Sequence, residues 1–135
     1  MAYIQAANLE NLEDILQMLD PVFEQFSCSE RTKFEVCVSV EEVYTNIVSY
    51  AYNPDVGDVE IVCETDDSEQ TMLKISFRDW GKPFDPLKKP DPDFDIPFDE
   101  RPVGGLGIYM VKKYMDHVEY QYENGCNILT IEKKL

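Results

Sequence analysis

Apolar residues return at three- and four-residue intervals near the start of the chain. Leu9, Leu12, Ile15, Leu16, Leu19, Phe23 and Phe26 trace one face of an amphipathic helix over residues 9–26. Asn8 is placed to cap it. Pro21 should kink or divide it, because proline has no N–H to donate and its ring crowds the preceding turn. The opening MAYIQAA reads as a short edge strand. Ser27 followed by Glu30 has the form of a capping box. From there a longer helix runs to about Tyr52, with Phe34, Cys37, Val40, Tyr44, Ile47, Val48 and Ala51 as its apolar stripe. After Asn53-Pro54 the period falls to two. Val59, Ile61 and Cys63 share one face of a strand over 58–65, and Leu73, Ile75 and Phe77 one face of a strand over 71–78.

The pattern then breaks. Six of the eight prolines lie between Pro83 and Pro102, too many for helix or sheet, in a stretch too long to be an idle connection. Beyond it, Val103-Gly-Gly-Leu-Gly opens a helix from about Ile108 to Met115. Strands over 117–123 and 127–133 follow, joined near Asn124-Gly125, a strong hairpin signal. Neighbouring strands thus come as hairpins. The fold expected is a two-layer α/β (α+β) sandwich, a mixed, mainly antiparallel sheet with helices on one face.

At 135 residues one domain, 1–135, is expected, without repeat or linker. Twelve basic against 27 acidic residues give a net charge of −15, which opposes binding to nucleic acid or anionic lipid. No run of about 18 apolar residues offers a membrane span. Residues 1–8 lack the basic-then-apolar form of a secretory leader. Cysteines 28, 37, 63 and 126 form no C-x-x-C pair, as expected of free thiols in a reducing cytoplasm.

Three constellations carry candidate chemistry. Glu42 and Asn46 are four apart and share a helix face with Ser39, Ser49 and Tyr50. That face is either solvated or aims hard oxygen donors into a cleft, where they suit magnesium held against phosphates. Asp79-Trp80-Gly81-Lys82-Pro83-Phe84-Asp85-Pro86 ends a strand. It is either an Asx turn with Gly81 at positive φ, or an acceptor beside a glycine that lets a ligand close in. Gly104-Gly105-Leu106-Gly107 opens a helix, where free N–H groups and the helix dipole favour an anion. No Lys-Ser/Thr follows as in a Walker loop, and no strand immediately precedes it as in a dinucleotide fold.

Taken together, E-x-x-x-N on a helix, D-x-G at a strand end and G-G-L-G opening a helix resemble the GHKL, or Bergerat, ATP-binding domain. Gyrase, sensor histidine kinases, heat-shock chaperones and mismatch-repair ATPases share it. EEVYTNIVSYAY, DWGKPFDP and RPVGGLGIYMVKKYMDHVEY are most similar to its anti-sigma factor serine kinase branch, over nearly the whole chain. The resemblance implies Glu42 as general base and Asn46 as Mg²⁺ ligand. It implies Asp79 as acceptor of the adenine amino group, with Gly81 letting the base lie close and Phe84 within the same nucleotide-binding motif. Gly104, Gly105, Leu106 and Gly107 would meet phosphates. Residues 87–103 would form a lid, with Arg101 a phosphate contact. ATP or ADP with Mg²⁺, a serine on an anti-sigma antagonist, an RNA polymerase sigma factor and a homodimer are the implied ligands and partners. The sequence departs from the family where a basic residue often stands four after the asparagine; here it is Tyr50. The lid carries Asp91, Asp93, Asp95, Asp99 and Glu100. These departures leave open a second reading, a nucleotide-binding interaction module without kinase turnover.

The remaining candidates read as structural. His117 is the only histidine and reads as a strand-edge surface residue. Tyr120 and Tyr122 read as packing on a sheet face, Lys112 and Lys113 as a solvated helix face, and Cys37 and Cys63 as core.

Overall fold

A computed structural model describes residues 2–52, 55–97, 99 and 106–135. Strand β1 (Ala2–Ala6) leads through a 3₁₀ turn, Leu9–Asn11, into helices α1 (Leu12–Gln17) and α2 (Asp20–Gln25). Asn8 caps the turn as expected, its side chain accepting from the Asn11 N–H. Pro21 lies in the first turn of α2, so the proline divides the 9–26 segment where its missing N–H costs nothing. Helix α3 (Glu30–Asn46) begins two residues later than the expected box. Ser29 is the cap, accepting from the Thr32 N–H, and Ser27 takes a left-handed φ of 51°.

Strands β2 (Asp58–Asp66) and β3 (Met72–Asp79), helix α4 (Leu106–Tyr114) and strands β4 (His117–Glu123) and β5 (Cys126–Lys134) complete the fold. The sheet order is β1-β2-β3-β5-β4. All four pairings are antiparallel, which sharpens the expected mixed, mainly antiparallel sheet. Asn124 and Gly125 both take positive φ, 53° and 78°, as a tight hairpin demands.

Register explains the layers. Ile61, Phe77 and Leu129 form one row across the sheet; Cys63, Ile75 and Ile131 form the next. Both rows are buried, together with Val36, Val40, Val43, Tyr44 and Ile47 of α3 and its continuation and Val111 of α4. The intervening positions, among them Glu60 and Arg78, face away and pair at 3.5 Å. On α3 the buried stripe differs from the expected one. Phe34 is exposed against Tyr114, whereas Val36, Ser39 and Val43 are buried. Ser39 donates to the Glu35 carbonyl at 2.7 Å, which satisfies its hydroxyl inside the core and removes it from the polar face.

Tyr44 fixes where α3 sits over the sheet. It is fully buried, and its hydroxyl donates to the Asn8 carbonyl at 2.6 Å and accepts from the Asn8 N–H at 3.0 Å. Tyr44→Phe should cost about 0.5–1.5 kcal/mol, the net worth of the hydrogen bonds lost, since the Asn8 N–H keeps the Ala6 carbonyl and the Asn8 carbonyl keeps the Asn11 N–H. Urea unfolding measures this, and an unchanged midpoint would remove Tyr44 from that role. At the far end, Lys133 of β5 donates to the Tyr114 carbonyl at 2.6 Å and to Glu35 at 3.3 Å, tying α3, α4 and the sheet. Among the described residues, no helix is long and apolar enough to cross a membrane.

Candidate functional site

After Asn46 the helix widens into a π turn, Ile47–Ala51. Such turns are frequent at functional sites, because the extra residue re-aims the side chains beyond it. Between this turn, α3, α4 and the sheet lies a narrow cavity, partly open to solvent. Val43, Ile47, Ala51, Phe77, Ile108 and Leu129 make its walls apolar; Asn46, Asp79, Tyr120 and Asn127 are its polar members, and Phe84 and Pro86 close one side. An apolar pocket with a few convergent polar groups is the usual form of a small-molecule site.

Asp79 ends β3 at the cavity and is only 4% exposed. Its Oδ1 accepts from Asn127 Nδ2 at 2.8 Å and from the Gly81 N–H at 3.0 Å. Both bonds fall on Oδ1, so among the described residues Oδ2 keeps acceptor capacity that a ligand could use. Burial pushes this carboxyl above its ordinary pKa, and the two hydrogen bonds pull the other way. The Asx turn and the cavity acceptor are therefore one feature, not alternatives. Gly81 is not at positive φ. A Cβ there would lie 2.1 Å from the Ala51 carbonyl oxygen, so glycine is required by close approach to the end of the π turn. Lys82 N–H donates to the same carbonyl at 3.2 Å. Gly81→Ala should lower stability by about 1–3 kcal/mol, the range for overpacking, because the clash is with backbone and cannot rotate away. Thermal and urea melts read this; wild-type stability would mean the two segments separate freely.

Glu42 and Asn46 are half-buried on one face of α3. Asn46 lines the cavity; Glu42 lies a turn earlier, its carboxylate against Gly107. A Cβ on Gly107 would come within 2.1 Å of Glu42 Oε2. The structure thus brings the helix carboxylate to the glycine in the first turn of α4. Burial, then the neighbouring Glu41 charge, raises the Glu42 pKa. A carboxyl tuned upward in this way is better matched to proton transfer near neutral pH. Leu106 begins α4, while Arg101, Gly104 and Gly105 lie outside the described residues.

Phe84 and Tyr50 stack at the cavity edge, ring centroids 5.3 Å apart. Lys89 Nζ sits 4.9 Å from the Tyr50 centroid and 5.3 Å from that of Phe84, so a cation from the expected lid stands beside the tyrosine. Residues of that segment also reach α4: Asp91 pairs with Lys112 at 3.3 Å, and Phe94 packs edge-on against Tyr109. Asp91, Asp93, Asp95 and Asp99 are exposed. His117 is exposed as expected, 3.4 Å from Glu119. Lys112 is not simply solvated, given its ion pair.

Sequence reasoning missed Asn127, and it placed Tyr120 in packing alone. Both line the cavity, and the Tyr120 hydroxyl donates to Asn127 Oδ1. Their signal was faint: polar atoms on inward positions of strands that otherwise bury Leu129 and Ile131.

This fold and cavity are matched by a known family, the histidine kinase-like ATPase domain. The profile of that family matches residues 5–133, and the chain belongs to it. A relative from Bacillus thuringiensis (strain Al Hakam), named serine-protein kinase RsbW, is 33% identical over 96 residues. Its namesake from Bacillus cereus (strain 03BB102) matches equally. In each case the match covers 68% of this chain and 58% of the relative. Among solved structures, the RsbU and RsbW domains of Rv1364c from Mycobacterium tuberculosis superpose with a TM-score of 0.58 at 12% identity, over 100% of this chain and 32% of that one. The histidine kinase domain of a blue-light activated kinase from Erythrobacter litoralis gives 0.54 at 14% identity, over 92% and 61%. At such identities these two show the fold alone.

Proposed function

We propose that this chain, acting as one domain in the cytoplasm, binds ATP or ADP and transfers a phosphoryl group from ATP to a serine of an anti-sigma antagonist. It would also sequester an RNA polymerase sigma factor, and would do so as a homodimer. The observation that carries the reading is Asp79: a buried carboxylate on the wall of an apolar cavity, with one oxygen held by two hydrogen bonds. Such an acceptor suits the exocyclic amino group of adenine, and the Phe84, Ile47 and Ile108 surfaces suit its ring. The similarity to serine-protein kinases supports the reaction class.

The residues present fit magnesium brought in with a nucleotide. Asn46 offers one hard amide oxygen at the cavity, and no group of three metal-ligating side chains lies among the described residues. Mg²⁺ of this kind keeps waters and phosphate oxygens as most of its ligands. When bound, the ion would neutralise phosphate charge; Asn46 would hold it. Gly107, in the first turn of α4, would present backbone N–H to a phosphate. Glu42 Oε2 would take the proton from the incoming serine hydroxyl, while positioning and electrostatics supply the rest of the rate. The net charge of −15 favours a basic protein partner over nucleic acid or an anionic membrane.

Tyr50 favours a second reading, a module in which nucleotide sets lid conformation and partner affinity without turnover. Its ring stacks on Phe84 and supplies no cation or base of its own. Incubation of the protein with Mg-ATP and its cognate antagonist separates the two. Phosphoserine on the antagonist supports the kinase; nucleotide binding without it supports the module; no binding overturns both.

A further inference from the structure

Asn127 sits in β5 directly opposite Asp79 in β3, and it is 5% exposed. Its amide nitrogen donates to Asp79 Oδ1 and to the Lys82 carbonyl, both at 2.8 Å. The Gly81 carbonyl lies further off at 3.4 Å. Its Oδ1 accepts from the Phe84 N–H at 3.1 Å and from the Tyr120 hydroxyl. An asparagine amide has two N–H donors and an oxygen with two lone pairs. All four are in use. The orientation of the amide is fixed as well, because the Phe84 N–H can only donate and the Lys82 carbonyl can only accept. Asn127 therefore has nothing left for a ligand, although it lines the cavity.

What it does have is a grip on each part of the acceptor. It holds one oxygen of Asp79, the backbone of the loop at Lys82 and Phe84, and the β4 tyrosine beside the cavity. We propose that Asn127 is the positioning residue for base recognition. By occupying Asp79 Oδ1 and fixing the 81–84 loop, it turns Oδ2 toward the ligand and sets Phe84 beside it. The inference rests on the nucleotide-binding reading. It goes further by assigning selectivity for an amino-bearing purine to a residue that touches no ligand.

The test is a mutant cycle on the intact chain with Mg-ATP as titrant. Asn127→Ala should lower affinity at least tenfold. In an Asp79→Asn background the same substitution should lower it by a clearly smaller factor, because the part of its role that acts through Asp79 has already been removed and only its hold on the Lys82–Phe84 backbone remains. A purely structural role would cost the same factor in both backgrounds, and that result overturns the proposal. Asn127→Asp provides a second measurement that does not depend on Asn127→Ala folding. It sets a carboxyl against Asp79 and the Lys82 carbonyl, so a single proton must be shared. The other ionisable groups facing this pair are Tyr52, from the end of the π turn, and Tyr120, from β4, with Asp85 of the loop acting on Tyr120. Burial pushes both tyrosines up, so neither ionises between pH 6 and 8. Over that range the affinity of Asn127→Asp relative to wild type should rise severalfold as pH falls, since the shared proton restores the donor to Asp79. A constant ratio overturns the proposal. If wild type itself binds no Mg-ATP, the nucleotide reading fails, and this inference with it; binding by wild type with additive losses sinks this inference alone.

Discussion

Asp79→Asn should lower Mg-ATP affinity by ~1–3 kcal/mol, roughly five- to 150-fold, the size of a charge-assisted hydrogen bond. The substitution is nearly isosteric, so packing of the cavity is retained. Asn127 Nδ2 can only donate, so the new amide must turn its oxygen toward Asn127 and its NH₂ toward the Oδ2 position. A donor then meets the adenine amino group where an acceptor had stood. Stability should not fall with affinity. Burial raises the Asp79 pKa, so the ionised form is disfavoured in the folded state. A carboxyl raised in this way costs stability as pH climbs through its unfolded value toward its folded one, and the cost persists above both. The neutral amide removes it, so at pH 7 the variant should melt at or above wild type. Calorimetry with Mg-ATP beside a thermal melt separates the two effects. Wild-type affinity in the folded variant would sink Asp79 as the base acceptor. Wild-type affinity itself should weaken as pH falls through the raised Asp79 pKa, because a protonated carboxyl loses much of its acceptor strength.

Glu42→Ala should slow phosphoryl transfer to the antagonist at least about a hundredfold, the lower bound for loss of a general base, with ATP affinity nearly intact. The serine hydroxyl that Glu42 is proposed to serve is absent when nucleotide binds alone, so the loss belongs in turnover. Asn46→Ala should weaken Mg-ATP binding and turnover together, because a metal ligand acts in both states. The two residues are one helical turn apart, so the contrast reports chemistry rather than location. The pH profile gives a further sign. Burial and the Glu41 charge raise the Glu42 pKa, and the base form is the ionised one. The wild-type transfer rate should therefore rise with pH through a midpoint above the ordinary glutamate value. That limb should vanish in Glu42→Gln, whose residual rate should be flat. Transfer by Glu42→Ala at the wild-type rate would remove Glu42 as the base.

Much of this protein was legible along the chain, for a physical reason. Helices and half-buried strands impose periods of 3.6 and 2 on their apolar residues, and a proline or an Asn-Gly pair acts within a few residues of itself. The five strands, the divided N-terminal helices, the long α3 and the hairpin before β5 all follow from such local rules. So does the placement of Glu42 and Asn46 on one helix face. Local rules failed where two local solutions competed. Ser27 and Ser29 both offer a cap, and the left-handed turn at Ser27 hands the role to Ser29.

The site was legible only in its parts. Asp79 could be singled out, but not the residue that holds it, because Asn127 lies 48 positions away and meets it through the β3–β5 register. Register is set by how a whole sheet buries its apolar face, which no window of a few residues contains. Gly81 gave the same lesson. Its sequence context asked for positive φ or ligand approach, and the fold uses it to let the end of a helix touch the strand-end loop. The contact of Glu42 with Gly107 likewise joins segments 65 positions apart, and it raises the carboxyl through burial that the sequence does not state. The sequence by itself determined the elements, their faces and the side chains able to do chemistry. Tertiary structure alone decided which of those side chains share a cavity, because close packing brings distant backbone together and excludes the water that would otherwise hold each polar group apart.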